Sequence, residues 1–129
     1  MPWVHLVVLL ALVEFFLFGF AVARARARYN VPAPAIAGHE VFERYFRVQA
    51  NTLEQLLVFV PSILLFGHYL NPYLAAALGV LFLIGRAVYF RGYVRSAQGR
   101  HLGFLLTALP NLALLLGAII GTLRALLSG

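Results

Sequence analysis

The residues able to do chemistry in this chain fall in two short stretches at the edges of long apolar runs, FRVQANTLE at residues 46–54 and RAVYFRGYVRSAQGR at residues 86–100. An α-helix advances about 100° per residue, so positions three, four and seven apart share a face. On that spacing Arg44, Arg47, Asn51 and Glu54 form one stripe, while Gln49 points roughly the other way. Arg86, Tyr89, Tyr93, Ser96 and Arg100 form a second stripe, provided one helix runs on through Gly92 and Gly99. Glu54 and Arg86 sit deeper in the apolar runs than the helix-end arginines, where a charge is costly and tends to mark a functional site; the plainer alternative is a structural ion pair. Arg86 is counted among the candidate binding residues on that ground. Tyr89 and Tyr93 also fit interface aromatics, and Arg24, Arg28, Arg91 and Arg95 fit side chains that snorkel to headgroups.

The elements that must position these groups are helices in a membrane. Of 129 residues 63% are hydrophobic and only 11% charged, a composition far from that of a soluble domain. A spanning helix takes about 20 apolar residues, which leaves room for four helices and little else. The segments run from about Trp3 to Ala23, Val48 to Leu70, Pro72 to Tyr93 and Leu102 to Leu127, in a single transmembrane domain over residues 1–129. The first has no basic residue ahead of it and stays apolar too long for a signal core, so it is kept as a helix. Prolines 32 and 34 and Gly38 forbid helix in the first loop. Asn71-Pro72 turns a tight hairpin. Pro110 and Asn111 predict a kink in the fourth segment, and Gly117 and Gly121 form a small-xxx-small pattern suited to close helix approach or oligomerisation.

The net charge of +6 comes from ten arginines and no lysine. In a membrane protein this points to headgroup anchoring rather than nucleic acid. Arginines flank the first and third loops and are absent from the second, which places those two loops on the cytoplasmic side and both termini on the other. The candidate site then lies near the cytoplasmic face. Trp3, Tyr69 and Tyr73 suit the opposite interface. Cysteine is absent, so any sulfur chemistry uses a thiol brought from outside. The four histidines show no ligand spacing, which argues against a metal site.

FERYFRVQANTLE followed by RAVYFRGYVRSAQGR resembles the paired signatures of the membrane-associated proteins in eicosanoid and glutathione metabolism, the MAPEG family, which includes the microsomal glutathione transferases and leukotriene C synthase. The motifs cover about residues 40 to 101. The resemblance implies an all-α fold, four-helix subunits in a homotrimer, and glutathione held in a U-shape between neighbouring subunits. Carried over by position, Arg47, Asn51, Glu54, Tyr89 and Tyr93 of one subunit would hold glutathione, completed by Arg26, Gln49 and Arg100 of the neighbour. Arginines for its carboxylates and a glutamate for its ammonium suit this tripeptide. One position departs: Gln55 stands where leukotriene C synthase has a tyrosine. The lipoxygenase-activating branch, a non-enzymatic scaffold, lacks the arginine matching Arg47.

The chemistry of the residues agrees. A thiol with a reference pKa of about 8.5 is mostly protonated at neutral pH, and a nearby guanidinium favours the thiolate. Arg100 is placed for that role, with the Tyr93 hydroxyl as the alternative donor to sulfur. A thiolate at the interface would meet a hydrophobic electrophile dissolved in the bilayer, and conjugation or reduction of a lipid hydroperoxide would both follow. The expected function is a membrane glutathione transferase, with peroxidase chemistry open to the same thiolate. The alternative is a non-catalytic lipid-binding scaffold of the same fold. A transporter subunit is disfavoured because the middles of the helices suggest no chain of ionisable residues to form a path.

Overall fold

In a computed structural model, residues 1–129 form four α-helices and one short 3-10 turn; every side chain but that of Ala97 is described. The helices are α1 (Pro2–Tyr29), α2 (Glu40–Tyr69), α3 (Pro72–Arg95) and α4 (His101–Ser128), and the turn is Ala97–Arg100. All four are long and apolar enough to cross a membrane.

Local chemistry sets the ends. Pro2 and Pro72 stand in the first turns of α1 and α3, where proline's missing N–H is an orphan in any case. Asn71 accepts from the backbone N–H of Tyr73 (2.9 Å) and Leu74 (3.1 Å), so the hairpin residue is also the cap of α3. His39 Nδ1 accepts from Val41 N–H at 3.1 Å, and Glu40 and Glu43 fill the first turn of α2, favourable beside the positive end of its dipole. α1 closes on Asn30 at φ 56°, a left-handed residue of the kind asparagine tolerates best.

Two boundaries differ from the apolar reading. α1 continues six residues beyond Ala23 to Tyr29, and α2 begins at Glu40 rather than near Val48. At 28 and 30 residues they exceed the about 20 needed to span, so their polar ends stand clear of the hydrocarbon. Pro110 lies inside a continuous α4.

α2 and α3 each pack against both α1 and α4. The core joins Val4, Val7 and Ala11 of α1 to Phe59, Ile63 and Phe66 of α2, Phe82 of α3 and Leu114 of α4, with Phe59 and Phe82 stacked at 3.9 Å. Much of the remaining helix surface is apolar and exposed, Leu57 at 71% and Phe16 at 66% among others, as a lipid-facing wall should be. Gly85 and Gly103 let α3 and α4 touch: a Cβ at Gly85 would stand 2.8 Å from the Leu106 carbonyl oxygen, and one at Gly103 would strike the Tyr89 backbone. Gly117 and Gly121 receive Phe66, Tyr69 and Leu70 of α2. Their small-residue pattern is therefore taken up by packing within the subunit.

Candidate functional site

α2 presents Arg47, Ala50, Asn51 and Glu54 along one face, and α3 presents Tyr89 and Tyr93 opposite them. Arg100 completes the wall of this cavity, which measures about 290 Å³. Arg47 and Glu54 are exposed, Asn51, Tyr93 and Arg100 half-buried, and Tyr89 buried. The Tyr89 and Tyr93 rings meet edge to face at 5.4 Å and 81°, and the Arg100 guanidinium lies 5.6 Å from the Tyr93 ring centre.

The route by which Arg100 arrives differs from the helical stripe. α3 ends at Arg95, and the Ser96 hydroxyl accepts from Gly99 N–H at 3.1 Å to start the 3-10 turn. Gly92 and Gly99 press backbone to backbone there, each where a Cβ would meet the other's carbonyl. The turn folds Arg100 back over Tyr93. Arg44 leaves the first stripe for a structural task, donating to Val94 carbonyl (3.2 Å) and pairing with Glu40 (3.3 Å).

Arg86, one of the deeper candidate binding residues, is 0% exposed and is not among the residues that line the cavity. It sits behind the wall. Its Nη2 donates to Asn51 Oδ1 (3.0 Å) and Thr52 Oγ1 (2.8 Å), and its guanidinium covers the Tyr89 ring at 4.2 Å. Thr52 in turn donates to Val48 carbonyl at 2.7 Å. A buried guanidinium thus fixes two cavity residues, and the helical spacing that put it in the stripe places it one layer deeper.

Gln49 and Arg26 are not brought to this cavity. Gln49 lines a separate groove of about 340 Å³ with Phe15, Phe16, Gly19, Phe20 and Ala23 of α1. Arg26 holds the first loop, donating to Ala35 carbonyl (2.6 Å) and Val31 carbonyl (3.3 Å) and lying over Phe42 at 4.9 Å. Gln55, the departing position, accepts from Asn111 Nδ2 of α4 at 2.9 Å.

Sequence reasoning passed over Glu14. It lies midway along α1, its Oε1 is buried without a hydrogen-bond partner, and Arg86 Nε and Nη1 are in the same condition. The available signal was a lone glutamate inside the first apolar run.

The chain matches the MAPEG family over residues 4–120. It belongs to that family. Among its MAPEG relatives is an uncharacterized protein of Synechocystis, 44% identical over 121 residues that make up 94% of this chain and 88% of the other. Microsomal glutathione S-transferase 2 of Mus musculus is 42% identical over 103 residues, 76% of this chain and 70% of the mouse protein. Leukotriene C4 synthase of Rattus norvegicus is 36% identical over 118 residues, 85% of this chain and 79% of the rat protein. Membership, with four spanning helices, makes this MAPEG chain an integral, multi-pass membrane protein.

Proposed function

We propose that this protein is a membrane-bound glutathione transferase acting on hydrophobic electrophiles, with peroxidase activity on lipid hydroperoxides open to the same site. The observation that carries it is the convergence of Arg47, Asn51 and Glu54 with Tyr89, Tyr93 and Arg100 on one cavity. Arg47 would take a carboxylate of glutathione and Glu54 its ammonium, each a charge-assisted contact of the strong kind. Asn51, its amide oxygen already engaged by Arg86, keeps its N–H donors for the peptide. Arg100, stacked near Tyr93, would stabilise the thiolate, with the Tyr93 hydroxyl as the other donor in reach of sulfur.

The thiol gives its proton to solvent, and the thiolate sulfur forms a bond to the electrophilic carbon as the leaving group departs with its electron pair. With a hydroperoxide the sulfur attacks the O–O bond, releasing the alcohol, and a second glutathione closes the disulfide with loss of water. Named relatives include a glutathione S-transferase and a leukotriene C4 synthase, which supports the transferase reading over a scaffold.

The assembly proposed is a homotrimer. Gln49 and Arg26 lie away from the cavity of their own chain, as residues that complete a neighbour's site would. The arginine-flanked loops are assigned to the cytoplasmic side and the termini to the other. The deciding experiment is glutathione binding to detergent-solubilised protein, followed by thiolate absorbance and conjugation of a model aromatic electrophile. Saturable binding with a thiolate band and product formation is expected; binding without either would return the protein to the scaffold class.

A further inference from the structure

A second cavity, of about 280 Å³, opens between α1, α2 and α3 and shares no lining residue with the first. Its lining includes Ala21, Arg24, Arg28 and Tyr29 of α1, Tyr45 of α2 and Phe90 of α3. We infer that it is a binding site for the phosphate of an anionic phospholipid headgroup.

Charge comes first. Arg24 and Arg28 are one helical turn apart and share a face, and no carboxylate lines the cavity. The nearby acids are engaged elsewhere: Glu40 pairs with Arg44, and Glu43 accepts from Gly38 N–H at 3.3 Å. Arg26, between the two on the same turns, is spent on loop carbonyls. Arg24 and Arg28 are therefore left exposed as the cationic rim. A choline headgroup brings its own cation beside two guanidinium groups, a like-charge cost that a net anionic headgroup avoids.

The walls are built rather than incidental. Phe90 stacks on Phe18 at 4.9 Å, Tyr45 meets Phe90 edge to face at 5.7 Å, and Tyr29 stacks on His39 at 4.2 Å. These contacts fix an aromatic floor under two guanidinium groups.

Below the cavity the surface suits acyl chains. Whole turns along the α1 face from Ala21 toward the N-terminus lead to Leu17 and Val13, which are 58% and 52% exposed. A basic, aromatic-lined pocket above an open apolar lane is the arrangement that receives anionic lipid between membrane helices. That lane favours a lipid over a soluble phosphate ester.

The test is native mass spectrometry of the detergent-released protein titrated with phosphatidylglycerol, phosphatidylcholine or glycerol phosphate. Near an anionic headgroup each arginine contributes about fivefold in affinity, so Arg24→Gln/Arg28→Gln should weaken phosphatidylglycerol binding by at least about tenfold. The control Arg91→Gln/Arg95→Gln removes the same charge outside the cavity and should change binding little; equal loss in both variants would overturn the site. Phosphatidylcholine binding as well as phosphatidylglycerol would overturn the anionic preference. Displacement of the lipid by equimolar glycerol phosphate would overturn the lipid assignment in favour of a soluble ester. Unchanged helicity by circular dichroism in both variants separates lost binding from lost fold.

Discussion

Arg47 and Glu54 reach the cavity from the same face of α2 with exposed ends, free to meet opposite charges of one ligand. Replacing either with alanine leaves a charge of glutathione unpaired in a partly dehydrated site, at a cost of about 2–5 kcal/mol in binding. Isothermal titration in detergent should show that loss for both; unchanged affinity in both would make them surface charges only. Arg100 is predicted to act on rate instead. With Arg100→Ala, much of the binding should survive, since the ligand's carboxylates and ammonium are held elsewhere, while thiolate formation and conjugation fall together. Each unit of thiol pKa is worth about 1.4 kcal/mol, so a rise of one unit costs up to about tenfold in thiolate at a pH below the pKa. If thiolate absorbance against pH stays put in Arg100→Ala and is abolished in Tyr93→Phe, the phenol carries the chemistry. These residue types and their grouping were legible in the sequence because Arg47, Asn51, Glu54, Tyr89 and Tyr93 keep helical spacing within unbroken helices. The depth of Arg86 was not, because spacing gives a direction around a helix and not the distance to the surface.

At the scale of elements, Arg86 ties α3 to α2 through Asn51 and Thr52, while Glu14 of α1 keeps a buried carboxyl oxygen without a hydrogen-bond partner. Losing a hydrogen bond to a charged group costs about 1.5–3 kcal/mol, and the loss is not repeated where its partner is already gone. Arg86→Gln should therefore lower the thermal midpoint strongly in the wild-type background and much less in Thr52→Val. A double-mutant cycle measured by thermal unfolding in one detergent gives the coupling; additive losses would show that the two side chains do not act on each other. The ends of the elements were the least legible feature. Alternating arginine and alanine at residues 23–28 break hydropathy but not helix, since both are strong helix formers, and α1 runs through them to Tyr29. The end of α3 was closer to legible: the apolar segment stops near Tyr93, and Ser96, able to accept from Gly99 N–H, ends the helix just after Arg95, so the stripe's condition of one continuous helix is not met. Arg100 still reached Tyr93 because Gly92 and Gly99 allow the turn to fold flat against the helix end.

For the whole molecule, the arginine distribution predicts that a reporter fused after Gly129 lies on the non-cytoplasmic side; a cytoplasmic signal would invert the assigned orientation. The proposed trimer makes the sharper prediction, because a site shared between neighbours in a closed ring is a heterologous interface. One face of each subunit offers the cavity of Arg47, Asn51 and Glu54, and the α1 side offers Gln49. Subunits carrying Arg47→Ala/Glu54→Ala have a damaged cavity and an intact donor face. Subunits carrying Gln49→Ala/Arg26→Ala have the reverse. Either alone should bind glutathione weakly, but any trimer containing both kinds holds one intact pairing around its ring. Random assembly from equal amounts should then restore about a quarter of the sites, a fraction set by three-fold closure. The measurement is glutathione stoichiometry on co-expressed subunits carrying two different affinity tags and purified through both, with cross-linking in mild detergent to count chains. Purification through both tags excludes trimers of one kind, so the intact share rises to about a third. No recovery in the doubly purified material, or full-affinity binding by a clean monomer, would place the whole site within one chain and leave Gln49 and Arg26 with structural tasks alone.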